Sequence, residues 1–158
     1  MTERRAVVVV ASNRAAAGVY ADRSGPILVA GLRDLGFDTP DPVVVPDGDP
    51  VGAAIRRAIG DGIDVVLTSG GTGITPTDRT PDVTRALLDY EIPGIAEAIR
   101  MVSRESIPTS VLSRGLAGVA GGTLVVNLPG STDGARDGLA VLGPILAHAV
   151  DQIRGGDH

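Results

Sequence analysis

The residues best suited to chemistry in this chain are two aspartates, Asp47 and Asp78, and the glycine run before the second of them, Ser69-Gly70-Gly71-Thr72-Gly73. That run leaves an apolar, β-branched stretch beginning at Asp64 and reaches Asp78 through Ile74-Thr75-Pro76-Thr77. Glycine allows positive φ and lets a ligand approach main-chain N–H groups with no Cβ in the way, so such a turn suits a phosphate. An ordinary glycine turn after a core strand is the plainer alternative, and the crowd of glycines and hydroxyls at this strand exit favours a ligand. Asp47 follows Val43-Val44-Val45, just past a strand end, where open α/β sheets place ligand groups. Carboxylates beside bound phosphate are the usual way a protein holds magnesium, which takes one or two of them plus phosphate oxygens and water. Two carboxylates repel a phosphate unless a cation intervenes, so Mg²⁺ is a requirement of this reading. The combination points to phosphoryl or nucleotidyl transfer, where positioning and charge neutralisation supply most of the catalysis.

Composition removes many other chemistries. All 14 basic residues are arginine, which excludes Schiff-base lysines, lysine general bases and the P-loop lysine. Cysteine is absent, and with it thiolate nucleophiles, thiolate metal sites and disulfides. The two histidines are His148, in a terminal helical pattern, and His158, the last residue. A histidine triad or histidine metal centre is not expected from them. No dinucleotide fingerprint follows the first strand. A net charge of -5 and only Phe37, Tyr20 and Tyr90 as aromatics argue against nucleic-acid and membrane-surface binding. No apolar run is long enough to span a bilayer, and the amino end lacks a signal-peptide layout. The expectation is therefore a cytoplasmic protein with no nucleic-acid and no membrane partner.

These residues need a scaffold, and the hydrophobic pattern supplies one over residues 1–158, read as a single domain. Ala6 to Ala11, Val43 to Val45 and the stretch before Ser69 are short apolar runs suited to strands buried on both faces. Between them lie amphipathic helices, one after Asp22-Arg23-Ser24 with Asp22 or Ser24 as its cap, one after Asp49-Pro50 and one after Thr80-Pro81. Asp49 and Thr80 read as N-caps, and Asp82 as the acid favoured in a first helical turn. A further helix runs from Pro93 to about Glu105. Gly115 to Ala120 and Thr123 to Asn127, divided by Gly121-Gly122, read as a hairpin. The last helical region, Asp133 to Ile153, is interrupted at Gly143-Pro144, and Ser131 is its cap. The fold class expected is α/β, a three-layer α/β/α sandwich with a mostly parallel sheet and one antiparallel strand. Crossovers of one hand put the strand-exit loops on a common edge, gathering Asn13, Arg14, Asp47, Gly70 to Asp78 and Asn127 to Ser131 there. Arg14 is a candidate anion ligand; Ser113-Arg114 either binds an anion or caps a turn.

In order along nearly the whole chain, Ser69-Gly70-Gly71-Thr72-Gly73, Thr75-Pro76-Thr77-Asp78, Pro93-Gly94, Leu112-Ser113-Arg114 and Asn127-Leu128-Pro129-Gly130-Ser131 resemble the Mog/MoaB family of molybdenum-cofactor biosynthesis proteins. The resemblance implies a molybdopterin-binding α/β/α fold, usually a homotrimer and in some members a hexamer. It also implies transfer of AMP from ATP to the terminal phosphate of molybdopterin, with Mg²⁺ and release of pyrophosphate. A separate molybdate-inserting domain or protein then takes the product. By the same resemblance, Asp47 and Asp78 match the two catalytic, metal-associated acids. Ser69, Gly70, Gly71, Thr72 and Gly73 match the glycine loop, Ser113 a pterin-side serine, and Asn127, Pro129 and Gly130 the loop that completes the substrate pocket. The sequence departs from the pattern at one point. Many active members carry a basic residue immediately before the second aspartate, where this chain has Thr77 followed by Asp78 and Arg79. The alternative implied is a non-catalytic molybdopterin-binding or scaffold protein.

Overall fold

A strand of four consecutive valines between two alanines opens the structure, a computed structural model that describes residues 3–157. This strand, β1 (Ala6–Ala11), leads into a single turn, α1 (Asn13–Ala16), and then α2 (Ser24–Asp34). Strand β2 (Val43–Val45), helix α3 (Asp49–Gly60), strand β3 (Val65–Ser69) and helix α4 (Thr80–Arg85) follow. The second half holds β4 (Tyr90–Glu91), α5 (Pro93–Met101), a 3₁₀ turn at Pro108–Leu112, β5 (Ala117–Ala120), β6 (Thr123–Leu128), α6 (Thr132–Leu142) and α7 (Leu146–Ile153).

The six strands form one sheet in the order β2-β1-β3-β6-β5-β4. β1 pairs in parallel with β2 and β3, and β3 in parallel with β6. β5 runs antiparallel to β6 through the Gly121-Gly122 turn, and β4 runs antiparallel to β5. The expected hairpin and its single reversed strand, β5, are thus present. β4 was not anticipated; it is two residues long and exposed on both.

Because side chains alternate along a strand, β1 feeds two cores. Ala6, Val8 and Val10 meet Leu28 and Leu32 of α2, Ile95 and Ile99 of α5, and residues of α6 and α7. Val9 and Ala11 meet Val51, Ile55 and Ala58 of α3 on the opposite face, with Val83 of α4 packed alongside. Every residue of β3 and β6 is buried, which accounts for the apolar runs Val65-Val66-Leu67 and Leu124-Val125-Val126 within them. Burying each leucine or isoleucine of these faces contributes about 1.5–3 kcal/mol.

Helix starts show how tertiary contacts outrank local capping. Ser131 does cap α6, accepting from the Gly134 amide at 2.9 Å, and Asp22 accepts from the Gly25 amide at 3.1 Å. Ser24 lies inside α2 and its hydroxyl meets that of Ser69 at 2.8 Å. Asp49 and Thr80 are corrections: each is the first helical residue, one past the N-cap position held by Gly48 and Arg79. Asp49 is instead 3.4 Å from the Arg79 guanidinium. Helix α5 ends at Met101 rather than near Glu105, its following residues forming turns.

Candidate functional site

In the strand order, connections reverse direction between β1 and β3, and in open α/β sheets the crevice at such a reversal, outside the carboxyl ends of the strands, is where ligands bind. A cleft of about 310 Å³ opens there, lined by Ala11, Ser12, Asn13, Arg14, Tyr20, Asp47, Gly71, Thr77 and Asp78. Asp47 arrives from the end of β2 and Asp78 from the loop after β3, so parallel pairing through β1 is what brings two distant acids to one rim.

Asp47 is held by its backbone: its amide donates to Asn13 Oδ1 at 2.9 Å. Its carboxyl is pushed above the usual carboxylate range, first by desolvation and then by the negative charge of Asp78, while a backbone hydrogen bond from Asn13 pulls the other way. One of its oxygens, Oδ1, is buried without a hydrogen-bond partner among the described residues. Asp78 folds back on its own turn, Oδ2 accepting from the Thr75 amide at 3.0 Å and the Thr75 hydroxyl at 2.7 Å. A Cβ on Gly73 would sit 2.7 Å from that oxygen, so the absence of a side chain there is what lets the carboxylate lie over the loop.

The raised Asp47 gives a prediction with a definite sign. A carboxyl whose folded pKa exceeds its unfolded value contributes stability below the ordinary carboxylate range and loses it as pH rises through the raised value. Asp47→Asn removes that loss. In metal-free buffer the variant is expected to melt about 2 °C above wild type at pH 7.5 and to show no advantage at pH 4. Thermal denaturation at the two pH values checks it, and an equal offset at both contradicts it.

The glycine loop is pinned from outside by a residue whose role the sequence left undecided. The Arg114 amide donates to the Thr72 carbonyl at 2.7 Å. Its guanidinium donates to the carbonyls of Gly73 at 3.2 Å and Asp78 at 2.7 Å, and forks onto the Asp82 carboxylate at 3.0 and 3.2 Å. The Asp82 carboxyl is held below its ordinary range by this bond, and the Arg114 guanidinium is held more firmly protonated. Arg114 is therefore a loop clamp rather than a free anion ligand. Arg114→Lys loses the planar fork, and Arg114→Ala is expected to speed amide exchange at Thr75 and Asp78 about tenfold relative to β3. Hydrogen-exchange measurements test this; unchanged loop protection contradicts it.

The remaining candidates divide. Ser69 and Gly130 line a smaller hollow of about 80 Å³ that shares Ala11, Ser12 and Tyr20 with the main cleft. Ser69 donates to the Pro129 carbonyl at 3.2 Å, which ties β3 to the turn after β6. Gly70 and Gly71 take φ of +97° and +69°, and a Cβ on Gly70 would strike the Ala11 carbonyl. A Cβ on Gly130 would lie 3.2 Å from the Gly70 Cα. Thr72 is buried beneath the Arg114 clamp. Asn127 is not at the rim: its amide donates to the hydroxyls of Thr68 at 3.0 Å and Thr84 at 3.1 Å, and accepts from the Leu116 amide at 3.1 Å. Ser113 lines a different cleft of about 500 Å³ with Arg85, Arg100 and Arg114, and its hydroxyl accepts from the Gly115 amide at 3.2 Å.

One further candidate, Arg14, does reach the cleft, and two residues, Tyr20 and Thr80, join the site from outside the expected set. Arg14, on the first turn after β1, is the basic residue lining the acidic cleft. Tyr20 lines both hollows, its hydroxyl 3.1 Å from that of Ser12. Thr80, completely buried, has a hydroxyl with no partner among the described residues. His148 is exposed on α7, and His158 lies outside the described residues.

Among the described residues no group of three or more His, Cys, Asp or Glu side chains could hold a metal. An all-oxygen pair with a buried unpaired Oδ1 and mutually repelling charges nonetheless fits a hard divalent cation that takes its other ligands from phosphate and water.

Known proteins resemble this chain over almost its full length. A family model described as a probable molybdopterin binding domain matches residues 7–148. A molybdenum cofactor biosynthesis bifunctional protein of Chlorobaculum tepidum is 38% identical over 156 residues, 98% of this chain and 50% of that protein. The chain thus spans about half the length of that relative. A molybdopterin adenylyltransferase of Haemophilus influenzae is 38% identical over 136 residues, 84% of this chain and 69% of that one. The solved structure of the molybdopterin biosynthesis Mog protein from Mycobacterium ulcerans superposes with a TM-score of 0.94 at 52% identity, covering 98% of this chain and 99% of that chain.

Proposed function

The chain belongs to the probable molybdopterin binding domain family, within its Mog/MoaB members, and on that premise we propose that it is a molybdopterin adenylyltransferase acting in molybdenum-cofactor biosynthesis. The observation that carries the reading is the meeting of Asp47 and Asp78, from different strand exits, in one cleft with Gly71 and Arg14.

In the proposed reaction an oxygen of molybdopterin's terminal phosphate attacks the α-phosphorus of ATP. A new P–O bond forms, the bond to the β-phosphate oxygen breaks, and pyrophosphate leaves. A phosphate monoester is largely a dianion at neutral pH, its second pKa being about 6. The nucleophile is then already ionised, and the scarcity of histidine and lysine is no obstacle. Asp47 and Asp78 would hold Mg²⁺, which supplies charge neutralisation at the α-phosphate and the leaving group. Arg14 adds positive charge at the rim, the bare backbone of Gly70 to Gly73 accommodates phosphate, and the Arg114 clamp fixes the loop that carries Asp78.

One observation favours the alternative, a molybdopterin-binding scaffold without transferase activity. The cleft position where many active members have a basic residue is Thr77, and Arg79 leans away from it, over Gly48 and toward Asp49 at 3.4 Å. Incubating the purified protein with molybdopterin, ATP and Mg²⁺ separates the two. The transferase yields adenylylated pterin and pyrophosphate together; pterin binding with neither product supports the scaffold, and ATP turnover without pterin supports a nucleotide hydrolase.

The same reading includes a homotrimer in the cytoplasm. Exposed apolar side chains at Met101, Val102, Ile107, Val111 and Leu112, close together in sequence, support a buried subunit contact. A relative of twice the length named bifunctional supports hand-over of the product to a molybdate-inserting domain or partner.

A further inference from the structure

Two buried oxygen atoms in this molecule lack partners and lie beside the same glycine. They are Asp47 Oδ1 and Thr80 Oγ1, both excluded from solvent and both without a hydrogen-bond partner among the described residues. A Cβ built on Gly71 would strike Thr80 Oγ1 and lie 3.0 Å from Asp47 Oδ1. The two oxygens therefore share a notch over Gly71 that they can enter only because residue 71 carries no side chain. One is a hydroxyl with a proton to donate and lone pairs to share, the other a carboxylate oxygen with none donated to it.

Leaving such groups unsatisfied is destabilising, and buried polar atoms without partners are rare enough to call for an explanation. Helix capping does not supply one, since Thr80 is already past the N-cap of α4 and its hydroxyl bonds to no backbone amide. Its amide is used separately, donating to the Gly71 carbonyl at 3.1 Å. That bond fixes the start of α4 against the glycine and holds the hydroxyl in the notch. Asp47, Gly71 and Asp78 line the same cleft, so the notch belongs to the acidic rim.

We propose that Thr80 is a third cation-holding residue of this site, its hydroxyl acting with Asp47 Oδ1 to grip a divalent cation, directly or through one of the cation's waters, in the notch over Gly71. The inference rests on the reading of Asp47 and Asp78 as the cation pair. It gives the complete burial of Thr80 and the lack of a side chain at residue 71 one common cause. A neutral hydroxyl adds an oxygen ligand without adding charge, which suits a site where two carboxylates already repel.

Mn²⁺ serves as the probe, its affinity measured by electron paramagnetic resonance in the full-length protein with and without ATP. Thr80→Val keeps the shape and deletes the oxygen; Thr80→Ser keeps the oxygen. Thr80→Val is expected to weaken Mn²⁺ binding about tenfold or more with a thermal midpoint equal to or above wild type, because an unsatisfied hydroxyl has been removed. Thr80→Ser is expected to stay within about threefold of wild type in Mn²⁺ affinity. Thr80→Val binding Mn²⁺ like wild type overturns the proposal, as does a wild-type protein that binds none. A marked fall in the Thr80→Val midpoint without a fall in affinity assigns the hydroxyl a structural role and overturns it too. Failure of AMP transfer with the Mn²⁺ pattern intact would count against the transferase reading and leave the Thr80 assignment standing.

Discussion

Asp78→Asn is expected to lower AMP transfer about a thousandfold while molybdopterin binding stays within a few-fold of wild type. The substitution removes one charge and little else. Asp78 Oδ2 accepts from the amide and hydroxyl of Thr75, and an asparagine carbonyl can accept the same pair, so the turn that presents residue 78 should survive. The Arg114 bonds to this loop go to backbone carbonyls and Asp82 rather than to the Asp78 carboxylate. What is lost is half of the negative charge that would hold the cation against two sets of phosphates. In a reaction whose nucleophile needs no base, that charge is most of what the protein can contribute. Turnover assays with α-labelled ATP, alongside equilibrium pterin binding, check the result. Unchanged turnover removes the role assigned to Asp78, and equal losses of binding and turnover would mean that the loop itself had collapsed.

Gly71→Ala is expected to cost about 2–4 kcal/mol of stability and to abolish divalent-cation binding. Two effects add. The backbone at φ +69° is a conformation that side chains rarely adopt, and the new methyl would collide with Thr80 Oγ1 and crowd Asp47 Oδ1 at 3.0 Å. A drop in melting temperature of roughly 5–12 °C follows from the size of the chain. Gly94→Ala is the control, since nothing lies within 4 Å of its missing Cβ and it sits in the first turn of α5. It is expected to leave stability within about 1 kcal/mol of wild type. Thermal melts of both variants test the pair, and a Gly71→Ala protein as stable as Gly94→Ala would contradict the account of the notch.

How far the chain could be read from its letters depended on whether the deciding contact was local. The valine runs of β1 and β3 announced strands buried on both faces, and their parallel pairing placed Asp47 and Asp78 on one edge without any further information. Gly121 and Gly122, at φ +56° and +88°, marked the reversal between β5 and β6. Strand β4 left no trace in composition because Tyr90 and Glu91 become a strand only by pairing with Val119 and Gly118.

Side-chain roles followed the same division. Asp49 and Thr80 carry the residue types of N-caps, yet each is shifted by one position, and sequence patterns do not resolve a single residue. Asp49 is recruited by Arg79 across the helix boundary, while Thr80 is buried against Gly71. Asn127 sits in a motif that the family resemblance places at the pocket, but its amide joins Thr68, Thr84 and Leu116 into an internal knot. Arg114 was the hardest to foresee. Apart from Asp82, its partners are carbonyls, which no side-chain pattern records, and they lie in a segment that only folding brings near.

The central claim is that Asp47 and Asp78 act as one unit on one cation, and a double-mutant cycle of AMP transfer tests it most directly. Turnover is measured for wild type, Asp47→Asn, Asp78→Asn and the double variant at saturating molybdopterin, ATP and Mg²⁺. Groups that share a single task are strongly non-additive, so the double variant is predicted to be no slower than the worse single variant by more than about threefold. If the two losses instead multiply, the carboxylates work independently and the shared cation site is contradicted.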